Sequence, residues 1–66
     1  MKITLYSTGN TESKELEKAL RGKNLKYEIV KDVDIMQEKG FMSAPMLEVD
    51  EEVMNYVSGR KWISEI

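Results

Sequence analysis

The apolar and polar positions of this chain change period several times, and each change marks an element. Ile3-Thr4-Leu5-Tyr6 is a short β-branched and aromatic run, which predicts a strand, and Ser7-Thr8-Gly9 ends it. From 11 to 22 the period becomes helical: Leu16, Ala19 and Leu20 fall at i, i+3 and i+4 as one apolar stripe. Asn10 or Thr11 suits the N-cap, because either side chain accepts a hydrogen bond from a free N–H of the first turn. Glu12 and Glu15 lie near the positive end of the helix dipole, and Lys18, Arg21 and Lys23 near the negative end. Gly22 or Asn24 is the expected stop.

Residues 25–30, Leu-Lys-Tyr-Glu-Ile-Val, alternate apolar with charged, which predicts a second strand nearer the sheet edge than the first. A helix between two strands makes a right-handed parallel βαβ unit the natural connection. Asp32 or Asp34 can cap a short second helix over 33–39, with Val33, Ile35, Met36 and the following Phe41 inward and Gly40 as the stop. Met46, Leu47 and Val49 predict a third strand, and Glu52 to Asn55 a fourth that returns as a hairpin across Asp50-Glu51. Neither turn residue adopts positive φ as easily as Gly. Val57, Gly59, Trp62, Ile63 and Ile66 recur at helical spacing. Gly59 mid-helix costs about 1 kcal/mol relative to Ala, so either it serves close packing on the sheet or the helix begins nearer Ser58. The order is β-α-β-α-β-β-α, an α/β domain with a four-stranded mixed sheet and three helices.

Length and composition narrow the chemistry. Sixty-six residues make a single domain, 1–66, and a chain this short buries only about 60% of its unfolded surface. The usual staples are missing. The chain has no Cys and no His, which excludes disulfides and thiolate or imidazole zinc sites. An apolar fraction of 41% beside 33% charged residues places it with globular rather than disordered chains. A net charge of −2 gives no electrostatic case for nucleic acid or an anionic membrane. Met1-Lys2 leads straight into the first strand, with no apolar stretch long enough for a signal peptide or a membrane span. A cytoplasmic monomer is the expectation.

Element order and length together point to a minimal thioredoxin-like fold, and three landmarks carry a closer resemblance. The stretch 3–20, from Ile3-Thr4-Leu5-Tyr6 into the first helix, resembles the start of small glutaredoxins and of glutaredoxin-like electron donors, where an aromatic residue ends the first strand and C-x-x-C opens the helix. Ser43-Ala44-Pro45-Met46-Leu47-Glu48-Val49 is similar to the loop in which that family places a cis-proline before the third strand, facing the redox motif. Residues 54–63 are similar to the last strand and helix of the shortest members.

The departure falls at the chemistry. The two cysteines of the family correspond to Asn10 and Ser13, and the Pro after the first of them to Thr11. Disulfide exchange needs a thiolate, whose pKa a helix N-terminus lowers. Asn is no nucleophile, and a Ser hydroxyl without a neighbouring base is too weak an acid. No catalytic residue is therefore expected, no cofactor and no metal. Asn10, Thr11 and Ser13 are capping residues on the plain reading; on the sharper one, the free N–H groups and hydroxyls bind an anion or a peptide carboxylate.

The resemblance implies that the Ala44–Pro45 bond is cis and that Ala44 offers its backbone N–H and C=O to an extended peptide. Those groups outlast any side-chain change, so the implied binding set is Tyr6, Thr8, Asn10, Thr11, Ser13, Ala44 and Pro45, with an extended peptide or protein partner in the Pro45 groove. Glutathione is not the expected ligand: glutaredoxins hold its carboxylates with basic residues and a Gly-Gly-x-Asp-type turn, and residues 51–59 are acidic and lack that turn. Lys14 and Lys39 read as solvated surface residues. Met36, Met42, Met46 and Met54 read as core filling rather than soft-metal ligands. Asp50-Glu51-Glu52 lacks the spacing of a calcium loop.

Three functional readings follow. The first is a glutaredoxin-like module without redox activity that binds a peptide or protein partner. The second is a thiol–disulfide oxidoreductase whose cysteines have been replaced. The weakest is a serine-based glutathione-binding protein using Ser7, Thr8 or Ser13.

Overall fold

A computed structural model describes residues 1–66. Its elements are β1 (Ile3–Tyr6), α1 (Thr11–Gly22), β2 (Glu28–Val30), α2 (Val33–Glu38), β3 (Met46–Val49), β4 (Glu52–Met54) and α3 (Tyr56–Glu65). They form an α/β domain with one four-stranded mixed sheet in the order β2-β1-β3-β4. β1 runs parallel to β2 and antiparallel to β3, and β3 pairs antiparallel with β4. The βαβ unit, the hairpin and the edge position of the second strand are as the alternation predicts.

Strand alternation divides the sheet into two unlike faces. Ile3, Leu5, Leu47 and Val49 join Leu16 and Leu20 of α1 and Ile63 of α3 in the core cluster. Ala19, Tyr27, Met54 and Trp62 pack around it. Both longer helices therefore cover one face. Gly59 is buried where α3 crosses β3, and a Cβ there would stand 3.3 Å from Leu47 Cβ. Close packing, not a late helix start, is the reason for this glycine.

The structure corrects several sequence expectations. The second strand spans three residues rather than six, because Leu25 is used elsewhere: its N–H bonds to Leu20 O and, with Asn24 N–H on Arg21 O, closes the end of α1. This pattern is a Schellman motif with Asn24 at φ +57°. In α2 only Met36 is buried, while Val33 and Ile35 are exposed, since a six-residue helix makes fewer than two turns and presents one inward position. Phe41 does pack, edge to face on Tyr6 with ring centroids 5.0 Å apart. Met42 is no core filler: it is fully exposed, whereas Met36 is buried and Met46 and Met54 are half-buried. α3 starts at Tyr56, capped by Asn55, and its Gly59–Ile63 stripe leaves Val57 and Ile66 exposed. No helix is long and apolar enough to cross a membrane.

Candidate functional site

The junction between β1 and α1 is built by short polar side chains folding onto their own backbone. Ser7 N–H extends the sheet by bonding to Val30 O at 2.9 Å, and Ser7 Oγ accepts from Gly9 N at 3.0 Å. Gly9, at φ +81°, then turns the chain into the helix. Asn10 is the N-cap: its Oδ1 accepts from Ser13 N at 2.8 Å. Thr11 is the first helical residue and is exposed.

The same Asn10 amide uses its other end across the molecule. Nδ2 donates to Ala44 O at 3.2 Å, 34 positions along the chain. The Ala44–Pro45 bond is cis and Pro45 is buried. Asn10, Ser13, Ala44 and Pro45 thus form one constellation. Within it, the N–H of Ala44 makes no hydrogen bond in the protein. Ser13 is 1% exposed, and its Oγ is the one buried side-chain oxygen or nitrogen without a partner. Thr8 is exposed and belongs to the turn itself.

Tyr6 stands apart from this constellation. It points to the sheet face that α1 and α3 leave open, where its hydroxyl donates to Glu48 Oε1 at 2.7 Å. Lys39, at the end of α2, reaches the same oxygen at 3.4 Å and lies 5.3 Å from the centre of the Tyr6 ring. These contacts, with Phe41 packed on the Tyr6 ring, tie the end of α2 to the sheet. On this open face lies a trough of about 540 Å³, floored in part by Thr4, Tyr6 and Val30 and flanked by Glu28, Glu48 and the Asp50-Glu51 turn. Sequence reasoning missed this second cluster. The available signal was that Thr4, Glu28 and Glu48 occupy the outward phase of three strands.

No family model, no curated protein and no solved structure matches the chain. The class that fold and site define is therefore the α/β domain with a polar strand–helix junction facing a proline loop.

Electrostatics are concentrated at the Tyr6 cluster. The Tyr6 hydroxyl bond, aided by Lys39, holds the Glu48 carboxyl below its usual range against the opposing effect of partial burial. Burial, and then the bond to Glu48, push the Tyr6 phenol up. Because the folded-state pKa of Glu48 is depressed, its contribution is present above the unfolded value of about 4.3 and is lost as pH falls through the folded one. Urea midpoints of the chain and of Glu48→Gln are expected to differ at pH 7 and to converge as pH falls through and below the usual carboxylate range. A gap that does not change with pH across the acid range rules out Glu48 as the titrating group.

Proposed function

We propose that this is a thioredoxin-like, glutaredoxin-related domain without redox chemistry, which binds an extended peptide or protein segment at the Asn10–Ala44–Pro45 constellation. The supporting observation is the bond from Asn10 Nδ2 to Ala44 O. It joins the two segments that, by resemblance, hold the reacting thiol and the backbone of the partner. A carbonyl oxygen has two lone pairs, so Ala44 can still accept from a partner while its N–H donates. Pairing of that kind supplies affinity through main-chain bonds and leaves selectivity to the neighbouring side chains. An amide in place of a thiolate keeps the helix start satisfied and removes the nucleophile.

Amide-shift mapping against extended peptides and against glutathione tests the reading. Saturable changes centred on Ala44, Asn10 and Thr11 with a peptide are the expected result. Absence of any change at Ala44 and Asn10 across peptides overturns it, as does disulfide reduction by the unaltered chain.

A second reading, that the parent protein is a thiol–disulfide oxidoreductase, is favoured by Ser13. A sealed hydroxyl without a partner costs about 1–3 kcal/mol, and a thiol, being a weak hydrogen-bonding group, loses less there. Ser13→Cys is expected to raise stability by about 1 kcal/mol. The Asn10→Cys, Ser13→Cys double variant is expected to reduce disulfides on this reading. Lower stability of Ser13→Cys and an inert double variant together defeat it.

A further inference from the structure

The open sheet face is the part of the molecule that neither helix packing nor the peptide reading explains. The strand register places Thr4 opposite Glu28 on one side and Glu48 on the other. The three side chains form one row across β2, β1 and β3. Adjacent strands are about 4.8 Å apart, so the two carboxyl-bearing positions stand about 10 Å apart with Thr4 midway.

Each member of the row has unused capacity. Thr4 is only 7% exposed, and its hydroxyl makes no hydrogen bond within the protein. That oxygen is nevertheless not sealed. Its strand neighbours Ile3 and Leu5 occupy the core on the other face, so Thr4 opens into the trough. Glu48 takes both Tyr6 and Lys39 on Oε1, which leaves Oε2 free. Glu28 forms no ion pair, the two in the chain being Arg21–Glu17 and Lys39–Glu48.

Charge is distributed to match. The residues lining the trough include four carboxylates, Glu28, Glu48, Asp50 and Glu51, against Lys2 and Lys39. The rest of the chain then carries eight basic and eight acidic side chains, so the whole net charge of −2 belongs to this face.

We propose that the open sheet face binds a linear aliphatic polyamine, with ammonium groups paired to Glu28 and Glu48 on either side of the Thr4 hydroxyl. A single metal ion fits the row poorly, because oxygen ligands must close to about 2.0–2.6 Å around one centre, and no group of three acidic side chains is placed to do so. A single guanidinium meets one carboxylate and leaves the other unpaired. A chain of ammonium groups separated by methylenes meets both. Its methylenes lie along Val30 and the Tyr6 ring edge, and an inner ammonium donates to Thr4. The volume of the trough is within the range of about 300–1,000 Å³ usual for small-ligand sites. This proposal stands independently of the peptide reading.

The test is a titration of the isotopically labelled chain with spermidine at low ionic strength. Saturable amide shifts are expected at Thr4, Glu28 and Glu48, weakening as salt is raised. Glu28→Gln and Thr4→Val are each expected to weaken binding about threefold, the size of one partly solvated contact, while Glu65→Gln on α3 changes nothing. Glu28 is exposed, so its substitution leaves folding intact and keeps the test decisive. Three results overturn the proposal: shifts that do not saturate, affinity unchanged in Glu28→Gln, or the same shifts from magnesium at equal charge. Binding of a lysine-rich peptide where spermidine gives no shift also overturns it.

Discussion

Gly59→Val is expected to destabilise the domain by about 3 kcal/mol, and Gly59→Ala by less than about 1 kcal/mol. The difference arises from what each added atom meets. A first carbon on Gly59 stands 3.3 Å from both Leu47 Cβ and Leu47 Cδ2, and 3.9 Å from Leu16 Cδ1. The Cδ2 contact can relax by a small rotation of the leucine, whereas Cβ is fixed to the backbone of β3. That strand pairs on both sides, with β1 and β4, and cannot withdraw without disturbing the register of the sheet. Ala sets this strain against up to about 1 kcal/mol of gained helix propensity. Val adds two more carbons in the same gap and has little χ1 freedom in a helix. Stability of about 0.05–0.15 kcal/mol per residue gives a chain of this length roughly 3–10 kcal/mol in all. Urea unfolding should therefore show Val with a midpoint far below that of Ala, or already partly unfolded in buffer. Equal midpoints for Val and the parent chain mean that α3 does not seat on β3 through Gly59.

Much of this fold follows from local chemistry along the chain. Helix α1 has its stripe, its cap and its charge order in one continuous stretch, and its bounds fall where the pattern puts them. What the pattern misplaces depends on partners distant along the chain. Leu25 looks like strand because its neighbours alternate, yet its N–H is taken by Leu20. The Asp50-Glu51 turn looks unfavourable, and both residues indeed have positive φ, +47° and +76°. The hairpin forms regardless, since Asp50 is held from outside: its N–H bonds to Lys2 O at 3.0 Å and its Oδ1 accepts from Lys2 N at 2.7 Å. Tertiary contacts override turn propensity here. The same limit hides the cluster of Tyr6, Lys39 and Glu48, because the pairing of Tyr6 with Glu48 spans 42 positions and requires the β1–β3 register. At the junction, by contrast, the capping role of Asn10 was legible from residue type alone. Its second bond, to Ala44, was not.

That second bond gives Asn10→Ala an expected cost of about 2 kcal/mol, large for an exposed polar residue. Two losses add. Removing an Asn N-cap costs about 1 kcal/mol, here through the unpaired N–H of Ser13. Losing the bond to Ala44 O removes the side-chain link between the start of α1 and the proline loop, worth about 0.5–1.5 kcal/mol. Asn10→Ser separates them, because a serine caps a helix nearly as well but is too short to span the loop gap. Its expected cost is about 1 kcal/mol, midway between the parent and Ala. Hydrogen exchange supplies the independent readout. In Asn10→Ser the amides of the first turn of α1 should stay protected, whereas those of Met46 and Leu47 at the start of β3 exchange faster. If Ser proves as stable as Asn, the contact with Ala44 contributes nothing and the two segments are held together by Pro45 packing alone. If Ser is as damaging as Ala, the cap contributes nothing beyond the cross-chain bond. Only an intermediate value supports one amide stabilising the helix start and the loop together, which is the arrangement on which the proposed binding constellation depends.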